Sequence, residues 1–115
     1  MTRYRQRLGA SGEDAAAAWY QARGYEVLAR NWRCRDGELD LVVASGRLVV
    51  FCEVKTRSSD AFGAPVEAVT RAKQLRVRRL AALWLAEQGP RRRGPVRFDV
   101  ASVLAGEVEV GEEAF

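Results

Sequence analysis

The sequence predicts an α/β domain of the α+β kind, and three observations lead there. Five short runs, over 25–31, 37–43, 48–57, 96–104 and 107–110, carry the alternation or the apolar content of strands. Two longer stretches, 12–23 and 66–88, repeat their apolar residues at helical spacing instead. The chain has 115 residues, 48% hydrophobic and 30% charged, which suits one small globular domain over 1–115 with a modest core.

Several function classes drop out on composition. There is no histidine, and Cys34 and Cys52 form no Cys-x-x-Cys pair, which argues against zinc sites and histidine triads. No apolar run approaches a membrane span, and no apolar segment follows the basic start as a signal peptide would require. The expectation is a cytoplasmic protein with free thiols and no membrane partner. A net charge of +4 and a pI of about 9.6 permit nucleic-acid binding without establishing it.

Taken in order, Arg3, Arg5 and Arg7 read either as phosphate contacts or as a frayed, solvated terminus. Ser11 is suited to cap the first helix, with Glu13 and Asp14 in its first turn, where carboxylates favour the positive helix end. Glu13 shares a face with Ala16, Ala17 and Tyr20, and Trp19 is assigned to the core. Gly24 ends the helix, 25–31 is a strand, and 32–36 is a polar turn.

The central hairpin carries the chemistry. In its first strand Glu38, Asp40 and Val42 take one face, opposite Leu39, Leu41 and Val43. In its second, Phe51, Glu53, Lys55 and Arg57 oppose Val50, Cys52 and Val54. Both strands are apolar enough to be central, yet each holds carboxylates near its middle. Buried charge is costly unless it is paired or binds a metal. A two-residue Ser45-Gly46 turn predicts Asp40 across from Phe51 and Glu38 across from Glu53. Asp40 and Glu53 then become same-face diagonal neighbours ~7–8 Å apart at the backbone, close enough to share a cation.

Hard oxygen donors suit Mg²⁺ or Mn²⁺. The Glu-x-Lys spacing adds Lys55, an amine able to position or activate water, so the set fits metal-assisted phosphodiester hydrolysis. A bare Glu-x-Lys is more often a surface ion pair, and the preceding Gly-Glu-Leu-Asp-Leu is what favours a site. All but two of the 19 cationic side chains are arginine, the exceptions being Lys55 and Lys73. A lysine against that background is suggestive, because an ammonium can give up a proton and a guanidinium cannot.

The segment 58–65 is rich in small and turn residues, either a cover for the site or a plain connector. In the second helix Val77, Leu80, Ala81, Trp84 and Leu85 form an apolar stripe. One turn back, Lys73 and Gln74 either face a polar site or emerge into solvent. Arg71, Arg76, Arg78 and Arg79 form a phosphate track or a solvated face. Arg91, Arg92 and Arg93 lie in an exposed turn suited to backbone phosphates. Residues 96–104 are a strand, and Ala105-Gly106 turns it into an edge strand over 107–110.

Gly-Glu-Leu-Asp-Leu-Val followed by Val-Phe-Cys-Glu-Val-Lys-Thr-Arg resembles the YraN family of small bacterial proteins. That family is itself similar to archaeal Holliday junction resolvases and to restriction-endonuclease-like nucleases. The likeness extends over Gly12-Glu13, Gly24-Tyr25, Asn31, Phe62-Gly63, Lys73, Arg97-Phe98-Asp99-Val100 and Ala114-Phe115. It implies a central mixed sheet flanked by helices and a nuclease-type site of Glu13, Asp40, Glu53 and Lys55, with Gln74 a weaker candidate. Leu39 stands where many restriction enzymes carry proline, and Cys52 where relatives often have valine; neither change removes a ligand.

Two function classes follow. In the first the protein is a Mg²⁺- or Mn²⁺-dependent DNA endonuclease, acting on branched or damaged DNA. Asp40, Glu53 and the Val54 carbonyl would hold the metal, Lys55 would handle the attacking water and Glu13 would assist. Arg57, Arg71, Lys73, Arg78, Arg91, Arg92 and Arg93 would contact the nucleic acid. In the second it is a nucleic-acid-binding or adaptor protein on a nuclease fold with little turnover. Related resolvases are dimers, so a homodimer stands beside DNA among the expected partners.

Overall fold

The computed structural model describes residues 3–57 and 69–115, with side chains from Gly12 on. The elements run α1 (Arg3–Ala22), β1 (Glu26–Cys34), β2 (Gly37–Ser45), β3 (Leu48–Arg57), α2 (Arg71–Gln88), a short 3₁₀ turn at Gly89–Arg92, β4 (Val96–Leu104) and β5 (Glu107–Gly111). The strands form one sheet in the order β1-β2-β3-β4-β5. β3 and β4 are parallel and every other pairing is antiparallel. This is the mixed sheet flanked by helices that the sequence resemblance implies, and it is compatible with a restriction-endonuclease-like fold. Among the described residues no helix is long and apolar enough to cross a membrane.

Alternation along β3 decides where the helices sit. Val50 and Cys52 turn to one face, where they pack with Leu41, Val43, Ala101 and the α1 residues Ala16, Ala17 and Tyr20. Val49 and Phe51 turn to the other, joining Val42, Phe98 and the α2 stripe of Val77, Leu80, Ala81 and Trp84. Phe51 stacks on Phe98 and meets Trp84 edge-on, at centroid separations of 5.7 and 5.8 Å. The sheet therefore has one helix on each face, and a residue's face fixes which helix it meets.

Four expectations are corrected. The hairpin turn is Gly46-Arg47, with Ser45 paired to Leu48 and Val42, not Asp40, paired to Phe51. Gly46 has φ of 58°, which suits glycine as the first of the two turn residues rather than the second. The resulting shift of two residues preserves the faces. β1 continues past residue 31 to Cys34, so the turn into β2 shrinks to Arg35-Asp36. α1 runs through Ser11, which is no cap; no proline interrupts 3–11, and the helix continues. α2 starts at Arg71, not Val66, because Thr70 is extended and its hydroxyl accepts from the Lys73 amide at 3.2 Å. The side chains of Arg3, Arg5 and Arg7 and the connector at 58–65 lie outside the described residues.

The α1 face hides a polar network. Asp99, fully buried, accepts from the Tyr20 hydroxyl at 2.6 Å and from Arg97 through both oxygens at 2.8 Å, and its Oδ1 also accepts from the Glu113 amide at 3.2 Å. Burial, the Cys52 thiol and the Asp99 bond raise the Tyr20 pKa, and the Asp99 bond raises that of Arg97. Arg97 also reaches Glu112 at 3.2 Å, so the network ties α1, β4 and the C-terminal residues together. Removing one partner of a buried pair leaves an uncompensated charge. Asp99→Ala is expected to lower the unfolding free energy by ~3–5 kcal/mol, read from denaturant titration. A loss under about 1 kcal/mol would show the network to be incidental.

Candidate functional site

The site forms where β2 and β3 part. Their regular pairing ends at Leu41↔Cys52, and one residue further the Asp40 carboxylate accepts from the Val54 amide at 2.9 Å. A side chain thus takes the hydrogen bond that a backbone carbonyl would take in a continued ladder. Across β1, Asn31 sits between the pairs Arg30↔Leu41 and Trp32↔Leu39, directly opposite Asp40, with φ of 52°. Left-handed backbone at a non-glycine residue is uncommon, and asparagine tolerates it better than most. The alternation expected along β2 breaks here: Leu39 joins Val42 on the α2 side, while Leu41 and Val43 join the α1 side.

The fork lets both helices reach one point. From α1 comes Glu13, whose carboxylate lies within 4.8 Å of those of Glu38 and Asp40. Gly12, just before it, is buried against Thr56, and a Cβ there would collide with the threonine side chain. From α2 comes Lys73, whose Nζ is 3.2 Å from Glu53 Oε1. Lys55, on the same face of β3 as Glu53, is a close neighbour of Lys73.

Electrostatics follows from this crowding. Glu53 is 3% exposed. Burial first, then the neighbouring charge and hydrogen bond of Asp40, push its pKa up to about 7 against the opposing pull of Lys73. Burial raises Glu13 as well; a hydrogen bond from Asn31 and the charge of Arg30 offset this in part, while Asp40 and Glu38 add to it. Burial lowers Lys55, helped by the hydrogen bond and charge of Lys73. Burial would also lower Lys73, but the neighbouring Lys55 amine, the charge and ion pair of Glu53 and the charge of Asp40 outweigh it and raise the group. The arrangement is a buried carboxyl beside a half-buried one, with an amine of reduced basicity next to them, the kind of perturbed set found where proton transfer is needed.

The structure brings Glu13, Asp40, Glu53 and Lys55 together. Val54 joins through its amide, which anchors Asp40. Gln74 does not reach the carboxylates among the described contacts; its amide donates to the Val69 carbonyl at 3.1 Å and fixes the entry to α2. Arg57 ends β3 and Arg71 opens α2, near the two lysines in sequence. Arg78 lies instead over the rings of Phe98 and Phe115, at 4.5 and 6.0 Å. Arg91, Arg92 and Arg93 sit at the other end of the hairpin, where Arg47 donates to the Arg93 carbonyl at 3.2 Å.

Three members of the cluster lie outside the catalytic set that the sequence implies. Glu38 has no role on sequence grounds; it lies beside Glu13 and Asp40, and it also pairs with Arg33 at 3.2 Å. Asn31 had no chemical signal beyond the family likeness. Lys73 was assigned to phosphate, although its rarity in an arginine-rich chain marked it as clearly as Lys55.

The raised Glu53 carboxyl has a consequence for stability. Its unfolded form ionises near 4.5 and its folded form near about 7. Between those values the folded protein keeps a proton that the unfolded chain has released, so stability falls as pH rises through that window and levels off above it. Denaturant titrations in EDTA across the window are expected to show this decline, and Glu53→Gln should flatten it. Equal slopes in the two proteins would mean that Glu53 titrates normally.

A family model described as Uncharacterised protein family UPF0102 matches residues 12–103, which includes every carboxylate and both lysines of the cluster. A UPF0102 protein of Beutenbergia cavernae is 59% identical over 102 residues, covering 89% of this chain and 86% of the relative. One of Mycolicibacterium vanbaalenii is 52% identical over 111 residues, covering 96% and 91%. One of Nocardia farcinica is 55% identical over 101 residues, covering 87% and 78%. The chain therefore belongs to the uncharacterised protein family UPF0102, the YraN family that its hairpin resembles.

Proposed function

We propose that this protein is a Mg²⁺- or Mn²⁺-dependent endonuclease that hydrolyses phosphodiester bonds in DNA. One observation carries the reading: the buried Glu53 carboxyl beside Asp40 at a break in the sheet, with Lys73 at 3.2 Å and Lys55 on the same face. A purely structural strand pair gains nothing from packing like charges there.

The donor set fits a hard divalent ion. Asp40 and Glu53 would hold it with the Val54 carbonyl, and Glu13 would complete the oxygen set, with Glu38 within 4.8 Å of Glu13 and Asp40. The ion would supply a Lewis acid for a phosphate oxygen. The chain's own residues supply the rest. Lys55, its basicity reduced by burial and by Lys73, is suited to orient the attacking water and to exchange a proton at Nζ. Arg57 and Arg71 would meet backbone phosphates on either side, contacts that position the duplex without reading its sequence. The likeness of the family to junction resolvases supports branched DNA as substrate.

The test is cleavage of end-labelled single strands, duplexes, flaps and four-way junctions with Mg²⁺, Mn²⁺ or EDTA. Metal-dependent cutting is expected, with Lys55→Ala and Asp40→Asn, each checked for folding, slower by ~10²–10⁴-fold. Retarded bands without cutting would replace this reading with that of a nucleic-acid-binding protein on a nuclease fold.

A further inference from the structure

Lys73 stands in the first turn of α2, where the positive end of the helix dipole disfavours a cation and no acidic residue accompanies it. Its position is nonetheless well fixed. Its amide donates to the Thr70 cap, and Gln74 on the next position ties the helix entry to Val69. The consequence is a 3.2 Å ion pair between unequal partners: the Lys73 side chain is 35% exposed and that of Glu53 only 3%. The carboxylate cannot leave the protein interior, whereas the ammonium can turn outward to solvent on a flexible four-carbon stem.

We propose that Lys73 is a built-in counter-ion that holds a cation's place at Glu53 and is displaced when a divalent ion binds. The proposal rests on the metal-site reading above. It explains how the chain folds with Glu53 buried so close to other carboxylates before any metal arrives: a buried carboxylate is tolerated when a cation accompanies it. It also sets a threshold, since an ion entering the site must break the Lys73–Glu53 pair before it gains the carboxylate. Lys55, fixed on the strand itself, keeps its place when Lys73 leaves.

Mn²⁺ binding to the full chain, followed by loss of the free-ion resonance signal at about pH 8 where Glu53 is ionised, tests this. Lys73→Met is expected to bind Mn²⁺ about tenfold more tightly than wild type, and Lys73→Gln similarly should either variant fold poorly. Lys73→Arg, which keeps the charge, should match wild type. Arg76→Met removes a nearby charge that does not pair with Glu53 and should stay within about twofold. In parallel, the melting temperature without metal should fall in Lys73→Met and rise more on adding Mn²⁺ than in wild type.

Equal or weaker binding by both neutral variants would overturn the proposal, as would an equal gain in Arg76→Met, which would reduce the effect to general charge. Binding by Lys73→Met where wild type shows none would support it strongly. Mn²⁺ binding that survives Asp40→Asn, or that is missing in every variant, would instead sink the metal-site reading itself.

Discussion

The hydrogen bond from the Val54 amide to the Asp40 carboxylate is the constraint on which the site depends, because it ends the β2–β3 ladder and aims a carboxylate into the gap it opens. A sheet with a helix on each face keeps the two helices about 20 Å apart, since each packs roughly 10 Å from the sheet. Side chains from opposite helices do not meet through an intact sheet. At this fork they converge on shared neighbours: Glu13 of α1 approaches Asp40, and Lys73 of α2 approaches Glu53. The left-handed Asn31 across from Asp40 carries the matching distortion in β1 and hydrogen-bonds Glu13 as well. Backbone strain of this kind persists only where surrounding contacts over-determine it.

Two buried acid clusters on the same sheet show what distinguishes a site from a structural network. Asp99 spends both oxygens on Tyr20, on a two-pronged Arg97 and on the Glu113 amide. Its countercharge is a guanidinium, which stays protonated and holds a fixed fork. Even the neighbouring thiol is quiet, since burial pushes Cys52 up to about 12. Around Glu53 the countercharges are instead two neighbouring lysines, one lowered and one raised in basicity, so the charge there can be rearranged. The chain uses arginine almost everywhere and reserves its two lysines for this one place.

The strands, both helices and their apolar stripes were legible because period two and period 3.6 are written directly into the side chains. The face of Glu53 was legible too, along with those of β2 from Leu41 on, and these survived a wrong turn because an error of two residues leaves parity unchanged. What was not legible depended on backbone dihedrals or on distant partners. Gly46 could occupy either turn position, and only its φ selects the first. The break between Leu39 and Leu41 follows from Asn31 on another strand and from the amide of Val54, neither of which alternation encodes. The rarity of Lys73 set it apart and its place one turn before the apolar stripe left a polar site open, but its partner, Glu53, is set by the fold.

The distribution of the arginines bears on how such a site would hold a nucleic acid. Arg78 is engaged with two aromatic rings, and Arg91 to Arg93 lie at the far end of the hairpin. Beside the carboxylates Arg33 is engaged with Glu38 and Arg30 with Asp14, Arg57 and Arg71 end the elements that carry the two lysines, and a net charge of +4 adds little long-range attraction. Phosphate contacts dominate non-specific affinity, and few are available at this fork among the described residues. In the proposed reading, then, recognition is concentrated at the reacting phosphate itself rather than spread along a duplex. A strand already bent or exposed, as at a branch, presents that phosphate more readily than a regular helix does.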